Sequence, residues 1–506
     1  MQAPYSRSLG ELLDEQAARC PDAPAVLHDG RSLTYAALND RAARASAVWQ
    51  GLGVRRGDRV AVLVNNRPEW LELAFGAWRL GAVLAPFSTW STRAELDFLL
   101  ADSGVRAIVA LPRFGQEDYA GILRDLTAAP GRATMLLLEE YAAARDAARP
   151  LPLPAPGDGA SAGDDAIILY TSGSTSRPKA IALAHYLVTE NGFNIGERQG
   201  LGPADRVLLS PPLFWAYGGV NALPATVTHG AALVLQGRFE PAEALDLIER
   251  HGCTAIYTLP GMTDALLRHP AFARERTRTL RTGLTIGSPQ DVIRAAEQLG
   301  AAEICNIYGS SETGGNCCVT HHHWPLERRA NCQGFPLPGV ALRIAADGGV
   351  EVGGPYVMRG YINASAAQNE TAFTADGWFR TGDIGALAPD GTFVFQGRAT
   401  EMIKRGGINV SPAEVEDVLM QHPDVAQAGV IGATGPRGEV IVAFVVPRGD
   451  ACPTEDALAA HCRRLASSYK VPDRFAIVGA LPATVTGKLL RRDLKAAADR
   501  LMRTGA

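Results

Sequence analysis

The chain has 506 residues, 47% of them hydrophobic and 20% charged, with 49 Lys and Arg against 53 Asp and Glu for a formal net charge of −4. That length exceeds what one hydrophobic core serves, so two or more domains are expected, and a mildly acidic chain without a long basic tract points to a small-molecule partner and away from nucleic acid. Eight cysteines without a CxxC pair fit a reducing cytosol, the acid-bearing start MQAPYSRSLGELLDEQAARC does not read as a signal peptide, and no run reaches the about 18 apolar residues of a membrane span.

Along the chain, RVAVLVNN (59–66) predicts a buried strand, PEWLELAFGAWRLGA (68–82) a helix and AVLAPF (82–87) a second strand, the alternation of an α/β fold. An Ala-, Pro- and Gly-rich stretch (142–165) reads as an exposed connector. The rhythm resumes with RVLLSPPLF (206–214), AALVLQG (231–237), TAIYTLP (254–260), TGLTIGSP (282–289) and EICNIYGSSE (303–312). Each run ends in Gly, Pro or hydroxyl residues, the strand-end chemistry that ligand sites favour. From about Val340 the runs shorten and alternate around DG and GG turns, which predicts antiparallel strands. After Arg398, about a hundred residues with their own helix and strand signals predict a separate small domain.

The stretch TSGSTSRPKA (171–180) has the parts of a phosphate cradle: Gly for close backbone approach, hydroxyl donors and a cation. Gly173 and Lys179 even match the spacing of the NTPase P-loop. Pro178 and Ala180 break that match, because Pro lacks the amide and Ala lacks the metal-binding hydroxyl.

The longer stretch YTSGSTSRPKAIALAH resembles the phosphate loop of the adenylate-forming superfamily, and further motifs follow in that superfamily's order. They are YGSSETGG (308–315), GGPYVMRGY (353–361), WFRTGDIG (378–385), GRATEMIKRGGINVSPAEVE (397–416) and PATVTGKLLRR (482–492), with LTYAAL (33–38) nearer the start. The resemblance, of acyl- and aryl-CoA synthetase type, implies an α/β fold. Its large N-terminal domain (1–397) would hold two α/β sheet subdomains and a β-barrel-like subdomain. A hinge (398–400) would lead to a small mobile C-terminal α+β domain (401–506). The activity implied is ATP-dependent activation of a carboxylic acid to an acyl adenylate, then thioester formation with coenzyme A.

By the same resemblance, Thr171, Ser172, Gly173, Ser174, Thr175 and Lys179 hold the β- and γ-phosphates, and Thr175 and Glu312 place Mg2+. Gly287, Ser288 and Pro289, with Asn306, Ile307, Tyr308 and Gly309, form the adenine side, Tyr308 stacking on the base, and Ser310 and Ser311 are further nucleotide-binding positions. Asp383 accepts from the ribose hydroxyls beside Arg398. Lys488 is the catalytic lysine, a point charge suited to oxygens that gain charge as the α-phosphorus is attacked. Gly406 and Gly407 line the pantetheine channel.

The chain departs from the family pattern at Ser176, Ala180 and the hinge residue Thr400. Where relatives that activate amino acids carry an acid, it has Trp215, so an α-ammonium would enter unpaired. Trp215, Tyr217, Gly218, Gly219, Gly287 and Gly314 are the expected acid-site positions, and their small members favour a bulky, cyclic or aromatic acid. His321 to His323 read as a solvent loop, and Cys317 and Cys318 as packing residues. Two rivals stay open: transfer to a carrier protein's phosphopantetheine, and a non-catalytic nucleotide-binding homologue. Monomer and homodimer are both compatible with the sequence.

Overall fold

A computed structural model describes residues 7–129, 131–154, 159–171, 178–405, 408–435, 438–466, 470–483 and 489–504. Two sheets dominate the N-terminal domain. In the seven-stranded sheet, Asp165–Thr171, Val83–Pro86, Arg59–Leu63, Ala107–Ala110 and Thr134–Leu137 run parallel in that spatial order. Lys179–Ala184 and then Tyr361–Ile362 add antiparallel at the edge. In the nine-stranded sheet the strands from Cys305–Tyr308 across to Pro24–His28 are parallel, with antiparallel additions at both ends. Parallel strands need crossover helices that bury both sheet faces, which is why runs such as 60–63 are apolar throughout and wholly buried.

The helix Pro68–Arg79 is buried along nearly its whole length, and Gly76 lets it cross the helix Tyr35–Gly51, because a Cβ there would press on Ala45. This helix also carries Glu72, fully buried. Arg41 and Arg145 donate to its carboxylate at 3.0 and 2.6 Å, and the Tyr141 hydroxyl donates at 3.1 Å. The expected connector is therefore shorter than its composition suggests: 142–147 continue the helix Leu138–Ala147, which Tyr141 and Arg145 pin to Glu72. Low-complexity Ala here is helix-forming material, and only the Pro-rich remainder breaks it.

The β-rich part is a four-stranded antiparallel sheet, Ala341–Ile344, Gly349–Gly353, Phe379–Leu387 and Phe393–Arg398. Beyond Arg398 the C-terminal part is α+β: a hairpin Ile403–Arg405 with Ile408–Val410, a three-stranded sheet, and the helices Pro412–Met420, Glu455–Leu465 and Arg491–Thr504. It has its own buried core around Val415, Leu419, Val430 and Leu458. No helix among the described residues is long and apolar enough to cross a membrane.

Candidate active site

The phosphate-loop stretch forms the end of a hairpin. Thr171 and Lys179 face each other as its last paired residues, and the intervening 172–177, including Ser172, Gly173, Ser174, Thr175 and Ser176, lie outside the described residues. Ala180, the second departure, is inside the strand. It pairs with Tyr170 on one side and Ile362 on the other and is buried, so its methyl packs in the core.

That edge strand also delivers Tyr361, which joins the loop to the YGSSETGG motif. The Lys179 ammonium sits 4.7 Å from the centre of the Tyr361 ring, and the Tyr361 hydroxyl donates to Glu312 Oε1 at 3.2 Å. Glu312 lies on a short 3-10 turn, Ser311–Thr313, just past the strand Cys305–Tyr308. Burial and the Glu312 charge push the Tyr361 hydroxyl up, so it remains a donor. Lys179 and Glu312, 133 residues apart in sequence, thus share one neighbour.

On the nucleotide side, Tyr308 is almost wholly buried, its ring centre 4.5 Å from that of Phe393 and 5.7 Å from that of Phe395. Its hydroxyl donates to Asp383 Oδ2 at 2.7 Å. Asp383 faces Arg398 across the strand pair, with Oδ1 2.9 Å from Arg398 Nε. The angle there makes this an ion pair without a hydrogen bond, which leaves Oδ1 a buried acceptor with no donor. Burial pushes the Asp383 carboxyl up, against the pull of Arg398 and the Tyr308 hydroxyl. A buried acceptor without a donor is costly, and a ribose hydroxyl is a group that fits it.

Not every expected nucleotide residue turns toward this face. The Asn306 side chain is fully buried: its Nδ2 donates to the Cys332 carbonyl at 3.0 Å and its Oδ1 accepts from the Ile307 amide. Ser288 caps the helix Pro289–Glu297 through Asp291. Gly287 has φ 152°, a backbone region open to glycine, and a Cβ there would strike Asp291 and Pro260. Asn191 and Asn221, which the motifs do not include, hold the turn that carries Glu312: both donate through Nδ2 to the Gly314 carbonyl, at 3.1 and 3.0 Å.

Trp215 precedes a wide π-type helical turn, Ala216–Ala222, and its carbonyl accepts from the amides of Gly218 and Gly219. A Cβ on Gly218 would meet the Pro212 carbonyl and one on Gly219 the Leu213 carbonyl, so these glycines serve close backbone approach and are not among the residues that line a cavity. The Tyr217 hydroxyl shares its proton between the carbonyls of Leu284, at 2.8 Å, and Thr258, at 3.1 Å, strapping two strand ends together. Trp215 itself does line a cavity of about 320 Å³, with Trp90, Phe214, Phe239, Leu259 and Met262 among its walls. Among the described residues no Asp or Glu lines it. Trp90 packs edge-on against Trp215 at 5.2 Å and against Phe214 at 5.4 Å. The signal for this cavity was present in the sequence as strand ends: its walls follow VLVNN, VLAPF, VLLSPP, LVLQG and IYTLP.

Lys488, Gly406 and Gly407 lie outside the described residues. The flanks of the lysine segment, Ala483 and Leu489, pair as an antiparallel bridge, and Arg491 anchors it by ion pairs to Glu416 at 3.0 Å and to the hinge-side Glu401 at 2.9 Å. Of the flagged histidines, His321 contacts Arg198 and His322 pairs with Glu303; Cys317 and Cys318 are buried in packing. Among the described residues no three His, Cys, Asp or Glu side chains group as metal ligands.

The family model of AMP-binding enzymes matches residues 13–362, and that of the AMP-binding enzyme C-terminal domain matches 414–488. The chain belongs to the AMP-binding enzyme family. Among curated relatives, a feruloyl-CoA synthase from Amycolatopsis sp is 34% identical over 97% of this chain and 99% of its own. A sulfoacetate–CoA ligase from Cupriavidus necator is 33% identical over 96% and 97%. Among solved structures, ATP-bound MatB from Rhodopseudomonas palustris superposes with a TM-score of 0.86 at 25% identity, covering 97% of this chain and 99% of that one. A benzoate CoA ligase from Burkholderia xenovorans gives 0.84 at 25% identity, covering 97% and 100%. This AMP-binding enzyme is an acyl-CoA synthetase, a ligase with the large α/β domain and small C-terminal domain of its relatives.

Proposed function

We propose that this enzyme uses ATP to convert a bulky, cyclic or aromatic carboxylic acid to its acyl adenylate and then to its coenzyme A thioester. The observation that carries the reading is the aromatic cavity at Trp215, whose described lining has no carboxylate to meet an α-ammonium. Relatives named for feruloyl and benzoate thioesters support an aromatic acid.

In the first step a carboxylate oxygen bonds to the α-phosphorus and the bond to pyrophosphate breaks. Both groups are poor at finding each other in water, so positioning and charge stabilisation supply the rate. Tyr308 shelves the adenine, Asp383 Oδ1 accepts from the ribose, and Thr171 to Thr175 with Lys179 hold the leaving phosphates. Tyr361 keeps Lys179 and Glu312 in one arrangement. Glu312 and Thr175 suit Mg2+, a hard cation that takes oxygen ligands and offsets phosphate charge. Lys488 supplies the cation at the α-phosphate. In the second step the thiol sulfur, having lost its proton, bonds to the acyl carbon and AMP leaves. The small domain then presents Gly406 and Gly407 to the pantetheine arm.

The test is AMP release from a panel of carboxylic acids, with coenzyme A, with a phosphopantetheinylated carrier protein, or with neither. Turnover of aromatic acids with coenzyme A is the expected result. Release only with the carrier would transfer the reading to that acceptor, and no acid-dependent release at all would favour a non-catalytic nucleotide binder.

A further inference from the structure

The turn that carries Glu312 closes through a single peptide unit, Gly314–Gly315. The Gly315 amide donates to the Ser310 carbonyl at 2.8 Å, while the Gly314 carbonyl receives Asn191 Nδ2 at 3.1 Å and Asn221 Nδ2 at 3.0 Å. Asn191 Nδ2 also donates to the Asn316 carbonyl at 2.9 Å. Both glycines have positive φ, 72° and 85°, and a Cβ on Gly315 would strike the Asn221 amide. The peptide plane therefore lies directly against the side chains that hold its oxygen.

The two asparagines come from different parts of the domain. Asn191 is on the helix His185–Gln199, which follows the return strand of the phosphate-loop hairpin, Lys179–Ala184, and Asn221 is on the wide turn Ala216–Ala222 that follows the cavity residue Trp215. Both side chains are wholly buried, where an amide is costly and a leucine of similar size would pack without polar cost. Their Oδ1 atoms accept from no donor among the described residues, so these amides complete no network of their own. What they supply is donors to one carbonyl.

We infer that Asn191 and Asn221 are positioning residues that fix the Gly314–Gly315 peptide and so hold Glu312 where it meets the metal–ATP complex. This rests on the reading of Glu312 as a residue that places Mg2+. Each asparagine acts through the backbone of the turn, and a displacement of about 1 Å in such a group is enough to cost about a hundredfold in rate.

The experiment is a double-mutant cycle with two readouts: kcat in acid-dependent pyrophosphate exchange, and the ratio of calorimetric ATP affinities with and without Mg2+. Asn191→Leu and Asn221→Leu, which keep the volume and remove the donor, are made in the wild-type enzyme and in Glu312→Gln. In the wild-type background each should lower kcat about tenfold and reduce the Mg2+ enhancement of ATP affinity several-fold, with the melting temperature little changed. In the Glu312→Gln background each should cost less than about twofold, because the group being positioned is already lost. Should a leucine variant fail to fold, Asn191→Ser or Asn221→Ser enters the same cycle, since both residues reach one carbonyl. Equal losses in the two backgrounds, a loss that follows the melting temperature, or wild-type values in the variants would overturn the inference and leave Glu312 its role. Wild-type values in Glu312→Gln itself would remove that role and the inference with it.

Discussion

Asp383 accepts the Tyr308 hydroxyl at 2.7 Å with one carboxylate oxygen and holds the other 2.9 Å from Arg398 Nε without a hydrogen bond. One oxygen thus fixes the ring, and the other is the acceptor proposed for the ribose. Removing the carboxylate in Asp383→Ala loses a charge-assisted hydrogen bond worth about 1.5–3 kcal/mol, so the KM for ATP should rise about ten- to a hundredfold while the KM for the acid changes little. Tyr308→Phe, which frees Oδ2 but leaves Oδ1 in place, should give the smaller effect. Steady-state exchange kinetics measure both, and equal rises in the two KM values would remove Asp383 from ribose recognition.

Lys488→Ala should lower acid-dependent pyrophosphate exchange by about a hundredfold or more while ATP binding, followed by calorimetry, stays within a few fold. Arg491→Gln should reproduce a milder form of this loss, because it cuts the ties from the lysine segment to Glu416 and Glu401. Full exchange in the lysine variant would sink its assignment.

Trp215→Ala should widen the acid profile, raising kcat/KM for bulkier acids relative to benzoate, with the KM for ATP unchanged. Trp90→Ala should act in the same direction, since the two rings pack edge to face at 5.2 Å. An acid panel that returns the wild-type ranking for both variants would make these rings ordinary packing.

Stability rests in part on a residue remote from the chemistry. Glu72 is fully buried, and its partner Arg145 has a side chain only 10% exposed. Glu72→Ala removes the buried carboxylate and leaves Arg145 only its ion pair with the exposed Asp146 at 2.7 Å, and should cost about 2–4 kcal/mol in chemical unfolding. A loss below about 1 kcal/mol would mean that water reaches Arg145 once the carboxylate is gone.

The junction between the domains should sense pH. Burial, and then the charges of Glu416, Asp291 and Glu414, push Asp417 on the helix Pro412–Met420 from its ordinary 3.8 to about 7. Asp291, on the N-terminal side, is pushed up as well by burial. Nearby cations are already engaged, Arg491 with Glu416 and Lys470 with Glu414. Because the folded value lies above the ordinary one, the contribution of Asp417 to stability is whole below 3.8 and is lost as pH rises to about 7. Melting temperature should therefore fall over that window, and Asp417→Asn should flatten the fall and melt higher than wild type at about pH 8. An unchanged slope in the variant would place the titration elsewhere.

The parallel strands could be read from the sequence because each is a short apolar run closed by Gly or Pro, and a strand buried on both faces has no other way to look. The motifs were legible as motifs for a different reason: Tyr308 closes a strand, Glu312 sits on the turn after it, and Asp383 lies mid-strand opposite Arg398. What composition hid was pairing over distance. Nothing local marks Arg145 as the partner of Glu72, so residues 142–147 passed for connector. Gly218 and Gly219 looked like room for a substrate, yet they are small because carbonyls of the preceding turn lie against them. Tyr361 was counted as part of a motif, but its place between Lys179 and Glu312 emerges only when Tyr361–Ile362 joins the sheet edge.

The strand that ends in Arg398 has one further consequence. Arg398 faces Asp383, the proposed ribose acceptor, and its own carbonyl receives the amides of Glu401 and Met402, while the Ala399 amide donates to the Gly382 carbonyl. If the proposed roles hold, the hinge of the small domain is threaded through the same few peptide units that carry the proposed ribose acceptor. On that reading, a change that loosens the contact with the nucleotide would also slacken the hinge, coupling departure of AMP to return of the small domain.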